Sequence, residues 1–311
     1  MKESRPKRFD RAVDGILLLD KPQGLSSNAA LQNARGLFRA LKAGHAGSLD
    51  PLATGMLPIC FGQATKVCGY LLNSSKTYQV TARLGSRTDS ADADGVVIEE
   101  RPVPHLSQAQ IEQVLHSFIG AQKQVPPMYS ALKHEGRRLY ELARSGETIE
   151  REPRDIVIEQ IRLQHFDQTQ IGFEVRCSKG TYVRSLVEDV AARLGTLAHV
   201  TMLRRIQVDP FDAARRVTLD ALADLSLEAR DSLLQPADSA LLGMPLLNLD
   251  AGQETALFHG KPVPGFPSLA ASLWRAYGVD SRFLGLVRSD GQGELRAERL
   301  FVSPAAGVPA G

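Results

Sequence analysis

Apolar residues along this chain fall into runs of two periods. Ile16 to Leu19 is an unbroken apolar run, which reads as a buried strand. Asp20-Lys21-Pro22-Gln23-Gly24 follows and reads as a turn, since Pro presets φ and Gly accepts positive φ. Ala30, Leu31, Ala34, Leu37, Phe38 and Leu41 then recur at helical spacing, with Ser26 or Ser27 placed to cap the helix. Met56 to Phe61 is a second short apolar run, and Thr77 to Leu84 alternates as a strand does. Ser107 and Gln110 form a capping box before Ile111, Val114, Leu115 and Phe118, with Gly120 ending that helix. Residues 155–165 and 171–177 read as strands joined by a polar turn. Tyr182 to Leu194 is a helix with Leu186, Val187, Val190 and Leu194 on one face, stopped by Gly195. Met202 to Val208 reads as a further strand.

The character changes over 225–245, where short helical signals are followed by Pro236 and Pro245. A boundary is expected near 245. Beyond it, Phe283 to Arg288 and Glu294 to Val302 flank Asp290-Gly291-Gln292-Gly293, a hairpin turn signal. Strands and helices interleave without the regular rhythm of a parallel sheet. The fold class is therefore α+β. Residues 1–14 read as a loosely held basic arm, 15–244 as the main domain and 245–311 as a small, mostly β domain.

Length supports this division, since 311 residues suggest about two domains of ~150 residues. A net charge of +2 does not by itself argue for a polyanionic partner. Cys60, Cys68 and Cys177 include no CxxC pair, so a zinc cluster is excluded and reduced thiols in a cytosolic protein are expected. The run Ile16 to Leu19 is too short for a signal peptide. No stretch approaches the ~18 apolar residues of a membrane span.

Four stretches carry candidate chemistry. In GHAGSLDPLATG (44–55), Pro51 pushes Asp50 toward an extended backbone. Gly44, Gly47 and Gly55 allow sharp bends or a close backbone approach. An Asp-Pro turn alone is ordinary; His45 nearby, and no helix for Asp50 to cap, make it a candidate. RTDSADADG (87–95) resembles the start of a calcium loop, but its twelfth position is Arg101 where a bidentate Glu is needed. A solvated acidic loop explains it better than one that pairs with basic groups elsewhere. PPMYSALKHEGRRLY (126–140) interleaves cations with rings, which suits RNA; a solvated helix of alternating charge explains it about as well. CSKGTYVRS (177–185) leads from strand to helix. Lys179 and the helix start are suited to a phosphate, and Arg184 to a carboxylate.

Taken together and in order, these pieces resemble the TruB family of tRNA pseudouridine synthases. The matching stretches are LLLDKPQGLSSN (17–28), GHAGSLDPLATGMLPICFGQATK (44–66), KTYQV (76–80), RTDSADADG (87–95), PPMYSALKHEGRRLYELAR (126–144), CSKGTYVRSL (177–186) and MLRRI (202–206). The resemblance covers about Gly15 to Arg205 and continues more weakly to the C-terminus. It implies a pseudouridine synthase fold with a mixed, mainly antiparallel sheet, an RNA-gripping insertion at about 124–152 and a barrel-like PUA domain at 245–311. The stretch 268–282, with the only Trp (Trp274), departs from the PUA pattern.

The resemblance also implies roles. Asp50 matches the essential aspartate, Arg184 the arginine that pairs with it, and Tyr78 the ring that stacks on a flipped base. His45, Tyr182, Leu203, Lys21, Pro22, Lys133 and Lys179 make up the expected substrate-binding set, with Lys21 and Pro22 packing beside the site. The implied reaction converts uridine 55 of the tRNA T-loop to pseudouridine by cleaving the N-glycosidic bond, rotating the uracil and rejoining it through carbon. No cofactor and no metal are expected. The expected partner is the T-arm of tRNA, with no membrane and no obligatory protein partner, and the protein a cytoplasmic monomer. Three other readings stand beside it: a guide-RNA-dependent relative, a tRNA-binding or folding protein with modification secondary, and a carboxylate-pair hydrolase using Asp50 with Asp89 or Asp92.

Overall fold

The computed structural model describes residues 9–130 and 132–301, without the side chains of Lys133 and Arg144. In chain order the elements are β1 (Gly15–Lys21), α1 (Ser27–Phe38), β2 (Ala43–His45), β3 (Thr54–Phe61), α2 (Cys68–Asn73), β4 (Lys76–Leu84), β5 (Ser86–Thr88), β6 (Val97–Glu100), α3 (Gln108–His116) and β7 (Gly120–Gln124). They continue with β8 (Lys133–His134), β9 (Arg137–Arg138), α4 (Leu139–Arg144), β10 (Arg154–Phe166), β11 (Gln170–Cys177), α5 (Val183–Arg193), β12 (Ala198–Val208), α6 (Leu219–Ala223) and α7 (Leu227–Asp231). The last are β13 (Leu246–Asn248), α8 (Ala251–Phe258), β14 (Val263–Pro264), β15 (Leu273–Tyr277), β16 (Phe283–Ser289) and β17 (Glu294–Leu300).

One sheet runs β1-β3-β12-β4-β11-β10-β7, with β2 added on β3. Every pair in it is antiparallel except β3 and β12, which run parallel at Thr54 and Gly55 opposite Arg204 and Arg205. The two faces of β1 explain its unbroken apolar run. Successive side chains of a strand point to opposite faces. Leu17 and Leu19 join the core that also holds Phe38, Ile111 and Val187 from α1, α3 and α5. Ile16 and Leu18 join a second core with Met56, Val67, Leu71, Phe211 and Leu241. A strand covered on both sides has no use for polar alternation.

Ser26 accepts from the Ala29 amide and caps α1, and the Ser107–Gln110 capping box forms as expected. The helix it starts ends at His116, and Gly120 at φ 113° opens β7 instead of closing the helix. Residues 126–140 do not form a solvated helix. They make a short hairpin, β8 with β9, leading into α4. The expected basic arm is only partly covered, because residues 1–8 lie outside the described residues. Residues 10–14 are not loosely held: the Asp10 and Arg11 amides bond the Arg39 carbonyl, Arg11 pairs with Asp231, and Val13 is buried.

The second sheet runs β13-β15-β16-β17-β14. The segment 268–282 that departs from the PUA pattern supplies β15, where Trp274 lies opposite Val287. Its own core holds Leu249, Leu257, Ala276, Leu284 and Leu295. Leu286 and Phe301 instead join the core beneath β1 and β3.

Candidate active site

The loop between β2 and β3 is held on three sides. The Ser27 hydroxyl donates to the Leu49 carbonyl at 2.9 Å and accepts from the Leu49 amide at 2.7 Å. The Gly24 amide donates to the Pro51 carbonyl at 2.8 Å, so the turn after β1 supports the residue next to Asp50. Lys21 has no exposed surface, and its ammonium donates to the carbonyls of Pro22 at 2.9 Å and Leu25 at 2.6 Å in that turn and reaches the Pro51 carbonyl in the loop at 3.5 Å. Gly47 and Gly55 take φ of 88° and 102°, while Gly44 does not need positive φ. At Gly55 a Cβ would collide with the backbone of Arg205, where β3 and β12 meet.

This frame presents Asp50 to Arg184, which stands in the first turn of α5. The guanidinium is only 4% exposed and reaches Asp50 Oδ2 at 3.0 Å. It also reaches Asp92 Oδ2 at 3.4 Å and donates to the carbonyls of Ser90 at 2.7 Å and Tyr129 at 2.6 Å. Arg184 is therefore fully engaged, and its direction is fixed by two carbonyls before Asp50 is counted.

The acidic loop 87–95 is not simply solvated. Asp92 is 4% exposed, accepts from the Ser90 hydroxyl at 2.6 Å and the Asp94 amide at 3.1 Å, and faces Arg184. The alternative of an acidic loop that pairs with a basic group elsewhere is the arrangement found.

Asp50 opens on a cavity of about 370 Å³, within the range of small-molecule sites. Its walls include Tyr78, Tyr182, Leu203 and Leu132, and Lys179 stands at its edge. Burial raises the Asp50 carboxyl above the ordinary aspartate value, Arg184 opposes that rise, and Asp92 adds to it. The carboxylate side chain keeps 42% exposure. In a water-filled cavity solvation weakens the rise, and a ligand that displaces the water strengthens it.

Two buried cations stand behind the cavity. Arg205 on β12 is 1% exposed and donates to the carbonyls of Met56 at 2.7 Å and Gly47 at 2.9 Å, locking the loop from below. Lys76 donates to the carbonyls of Leu71 at 3.0 Å and Leu72 at 2.9 Å, and burial brings its ammonium down to about 8. Lys21 is likewise brought down to about 8, by burial first, with Asp50 opposing. Burial also raises the Tyr78 phenol, and Arg205 opposes it.

Asp50, Arg184, Tyr78, Tyr182, Leu203 and Lys179 are thus brought to one cavity. Lys179 is exposed and donates to Asn73 Oδ1 at 2.8 Å. His45, Lys21 and Pro22 are not in its walls. His45 is half-buried with its Nδ1 unpartnered, and burial, then Arg205, lowers its imidazolium below the ordinary value. Lys21, expected to bind substrate, is buried behind the loop with its ammonium turned to backbone carbonyls. With Pro22 it borders a separate cleft of about 830 Å³ between α1 and α6, floored by the Arg204–Asp20 ion pair. That cleft is larger, yet holds none of Asp50, Tyr78 and Arg184, so the chemistry belongs to the smaller cavity. The side chain of Lys133 lies outside the described residues. The residue reading missed Arg205 and Lys76, and it named Asp92 only as a possible acid partner of Asp50 and as part of a solvated loop. The only signal for Arg205 and Lys76 was position: Lys76 opens the strand-like KTYQV, and Arg205 sits in the strand-like MLRRI beside Ile206.

Three family descriptions match the chain in succession. Residues 35–183 match the N-terminal domain of the TruB family pseudouridylate synthases, 184–242 the C-terminal domain of tRNA pseudouridylate synthase B, and 245–301 the C-terminal segment of pseudouridine synthase II TruB. The chain is 47% identical over 310 residues to tRNA pseudouridine synthase B of Sodalis glossinidius, covering 97% of this chain and 99% of that one. It is 48% identical over 301 residues to the protein of that name from Stutzerimonas stutzeri, covering 96% and 98%. Among solved structures, a chain of a Cbf5–Nop10–Gar1 complex superposes with a TM-score of 0.69 at 25% identity, over 88% of this chain and 78% of that one. A chain of the archaeal box H/ACA Nop10–Cbf5 complex superposes at 0.70 and 22%, over 97% and 94%.

Proposed function

Because the chain belongs to the TruB family of pseudouridylate synthases, we propose that it isomerises uridine to pseudouridine in tRNA, at position 55 of the T-loop, as a stand-alone cytoplasmic enzyme. The observation that carries the chemical part is the Asp50–Arg184 pair at 3.0 Å, opening on a cavity walled by two tyrosine rings.

The chemistry follows from that geometry. A uridine stacked in an RNA loop must leave its stack to enter a cavity of this size, at a cost of a few kcal/mol. Tyr78 and Tyr182 offer rings on which the base stacks, returning about 1–3 kcal/mol. Leu203 closes the wall without competing for hydrogen bonds. Arg184 holds Asp50 ionised against its burial, which a nucleophile or base requires. Asp50 then assists cleavage of the bond between uracil N1 and the ribose, the freed uracil turns between the rings, and its C5 bonds to the ribose carbon; C5 then loses its proton and N1 ends protonated. Atoms are conserved throughout, so the reaction calls for no co-substrate.

The test is a map of pseudouridine on an unmodified tRNA transcript incubated with the protein alone. Pseudouridine at position 55 is expected, and Asp50→Ala is expected to abolish it. The likeness to H/ACA chains makes a guide-dependent enzyme the second reading. Activity that appears only with a guide RNA and added proteins selects it. Full activity in Asp50→Ala overturns the mechanism, and tRNA binding without any modification selects the binding-protein reading.

A further inference from the structure

Among the described residues, five buried side-chain polar atoms have no hydrogen-bond partner: His45 Nδ1, Gln63 Oε1, Arg87 Nε, Ser130 Oγ and Gln235 Nε2. Of these residues only Ser130 lines the cavity of Asp50. It is 3% exposed. Its backbone is fixed on both sides, since its amide donates to the Met128 carbonyl at 2.8 Å and its carbonyl accepts from the Tyr140 amide at 3.1 Å. The preceding carbonyl, of Tyr129, holds Arg184. The hydroxyl is therefore placed by the same segment that orients the guanidinium.

A buried hydroxyl left unpaired is costly, and one that lines a cavity can be satisfied by whatever fills it. The buried charged groups around this cavity are already committed, Arg184 to two carboxylates and two carbonyls, Arg205 and Lys76 to carbonyls, while Lys179 is exposed and bonds Asn73. The tyrosine rings and Leu203 suit the faces of a flat base, and the lining hydroxyls of Ser178 and Thr181 are bonded to backbone groups, so the edge calls for another partner. Uracil carries two carbonyl acceptors and one N–H donor on that edge. A serine hydroxyl both donates and accepts, so it serves either.

Building on the proposed reaction, we infer that Ser130 is a substrate-contacting residue, whose hydroxyl hydrogen-bonds the polar edge of the flipped uracil. The Tyr182 phenol lies toward Ser130 without a bond of hydrogen-bond geometry, and pairing between the two is the competing account.

The experiment measures kcat and KM on unmodified tRNA for the parent, Ser130→Ala, Ser130→Thr, Tyr182→Phe and the double variant Ser130→Ala with Tyr182→Phe, with thermal unfolding of each. Ser130→Ala is expected to lower kcat/KM about tenfold, the size of one hydrogen bond, with Tm unchanged and partial recovery in Ser130→Thr. A Ser130→Ala enzyme equal to the parent overturns the inference. So does a loss matched by a fall in Tm, or one that Tyr182→Phe reproduces and that is not deepened in the double variant. The dissociation constant for tRNA carrying 2′-deoxyuridine at the target separates base from ribose. An edge contact weakens binding in Ser130→Ala, and no effect there assigns the hydroxyl to the ribose and overturns the edge. Failure of the whole reading shows separately, as a parent protein that makes no pseudouridine.

Discussion

Asp50 is held between opposing influences, and its titration is where they become measurable. Burial and Asp92 raise its carboxyl while Arg184 and Lys21 lower it, with burial the largest. The ionised form is the working one, so kcat/KM is expected to rise with pH through a value above the ordinary aspartate range. A pH–rate profile with its acid limb at the ordinary range contradicts this. The stability consequence has the opposite sign. A carboxyl that binds its proton more tightly folded than unfolded loses stability as pH rises from its ordinary value to its raised one. Asp50→Asn is therefore expected to unfold at or above the parent Tm at neutral pH while losing activity. Asp92 behaves differently, being buried against Arg184. Asp92→Ala leaves Arg184 with a single, partly exposed carboxylate, and removing one partner of a buried pair costs about 3 kcal/mol. Urea unfolding of the variant checks this, and an unchanged midpoint contradicts it. Sequence gave Asp50 and Arg184 as candidates because each stands at a turn or a helix start. It left the pairing of Asp92 with Arg184 as the less favoured reading, because the partner stands 92 positions away and local turn chemistry explained the loop as well.

Elements were legible where their causes were local. The Ser107–Gln110 capping box needs only four consecutive residues and formed as expected. The apolar runs of β1 and β3 were readable because both faces of those strands are covered. The segment 126–140 was not, since its charges alternate in a way that suits a helix surface or a hairpin equally, and Glu135 and Gly136 at positive φ make the turn. The parallel contact of β3 with β12 lay beyond local reading too, yet it sets the site. Gly55 there takes φ 102° and leaves no room for a Cβ beside the Arg205 backbone. Gly55→Ala is expected to cost at least about 2 kcal/mol in backbone strain alone. It also moves the support beneath Asp50, so kcat is expected to fall more than tRNA affinity. Equal kcat in Gly55→Ala and parent, from single-turnover measurements, contradicts that coupling.

At the scale of the molecule, the change of sheet near residue 245 read as a boundary, and the packing crosses it. Leu286 and Phe301 complete the core that holds Ile16, Leu18, Met56 and Cys60 on the back of β1 and β3. The Lys66 ammonium donates to the Leu300 carbonyl at 2.7 Å, the Arg275 guanidinium to the Met244 carbonyl at 3.0 Å, and the Tyr277 hydroxyl to Asp238 at 2.7 Å. A chain ending after Met244 therefore exposes part of the core under β3, the strand that leaves the active-site loop. Each large apolar side chain withdrawn removes about 1.5–3 kcal/mol of burial, and Lys66 loses its acceptor. If the second sheet served only to add RNA affinity, truncation would weaken tRNA binding and leave Tm and single-turnover kcat intact at saturating tRNA. The shared core leads to the other outcome: a lower Tm in the truncated chain, with a fall in kcat that saturating tRNA does not restore. Thermal unfolding and single-turnover kinetics on the two chains decide between these, because affinity alone cannot lower the melting temperature of the free protein.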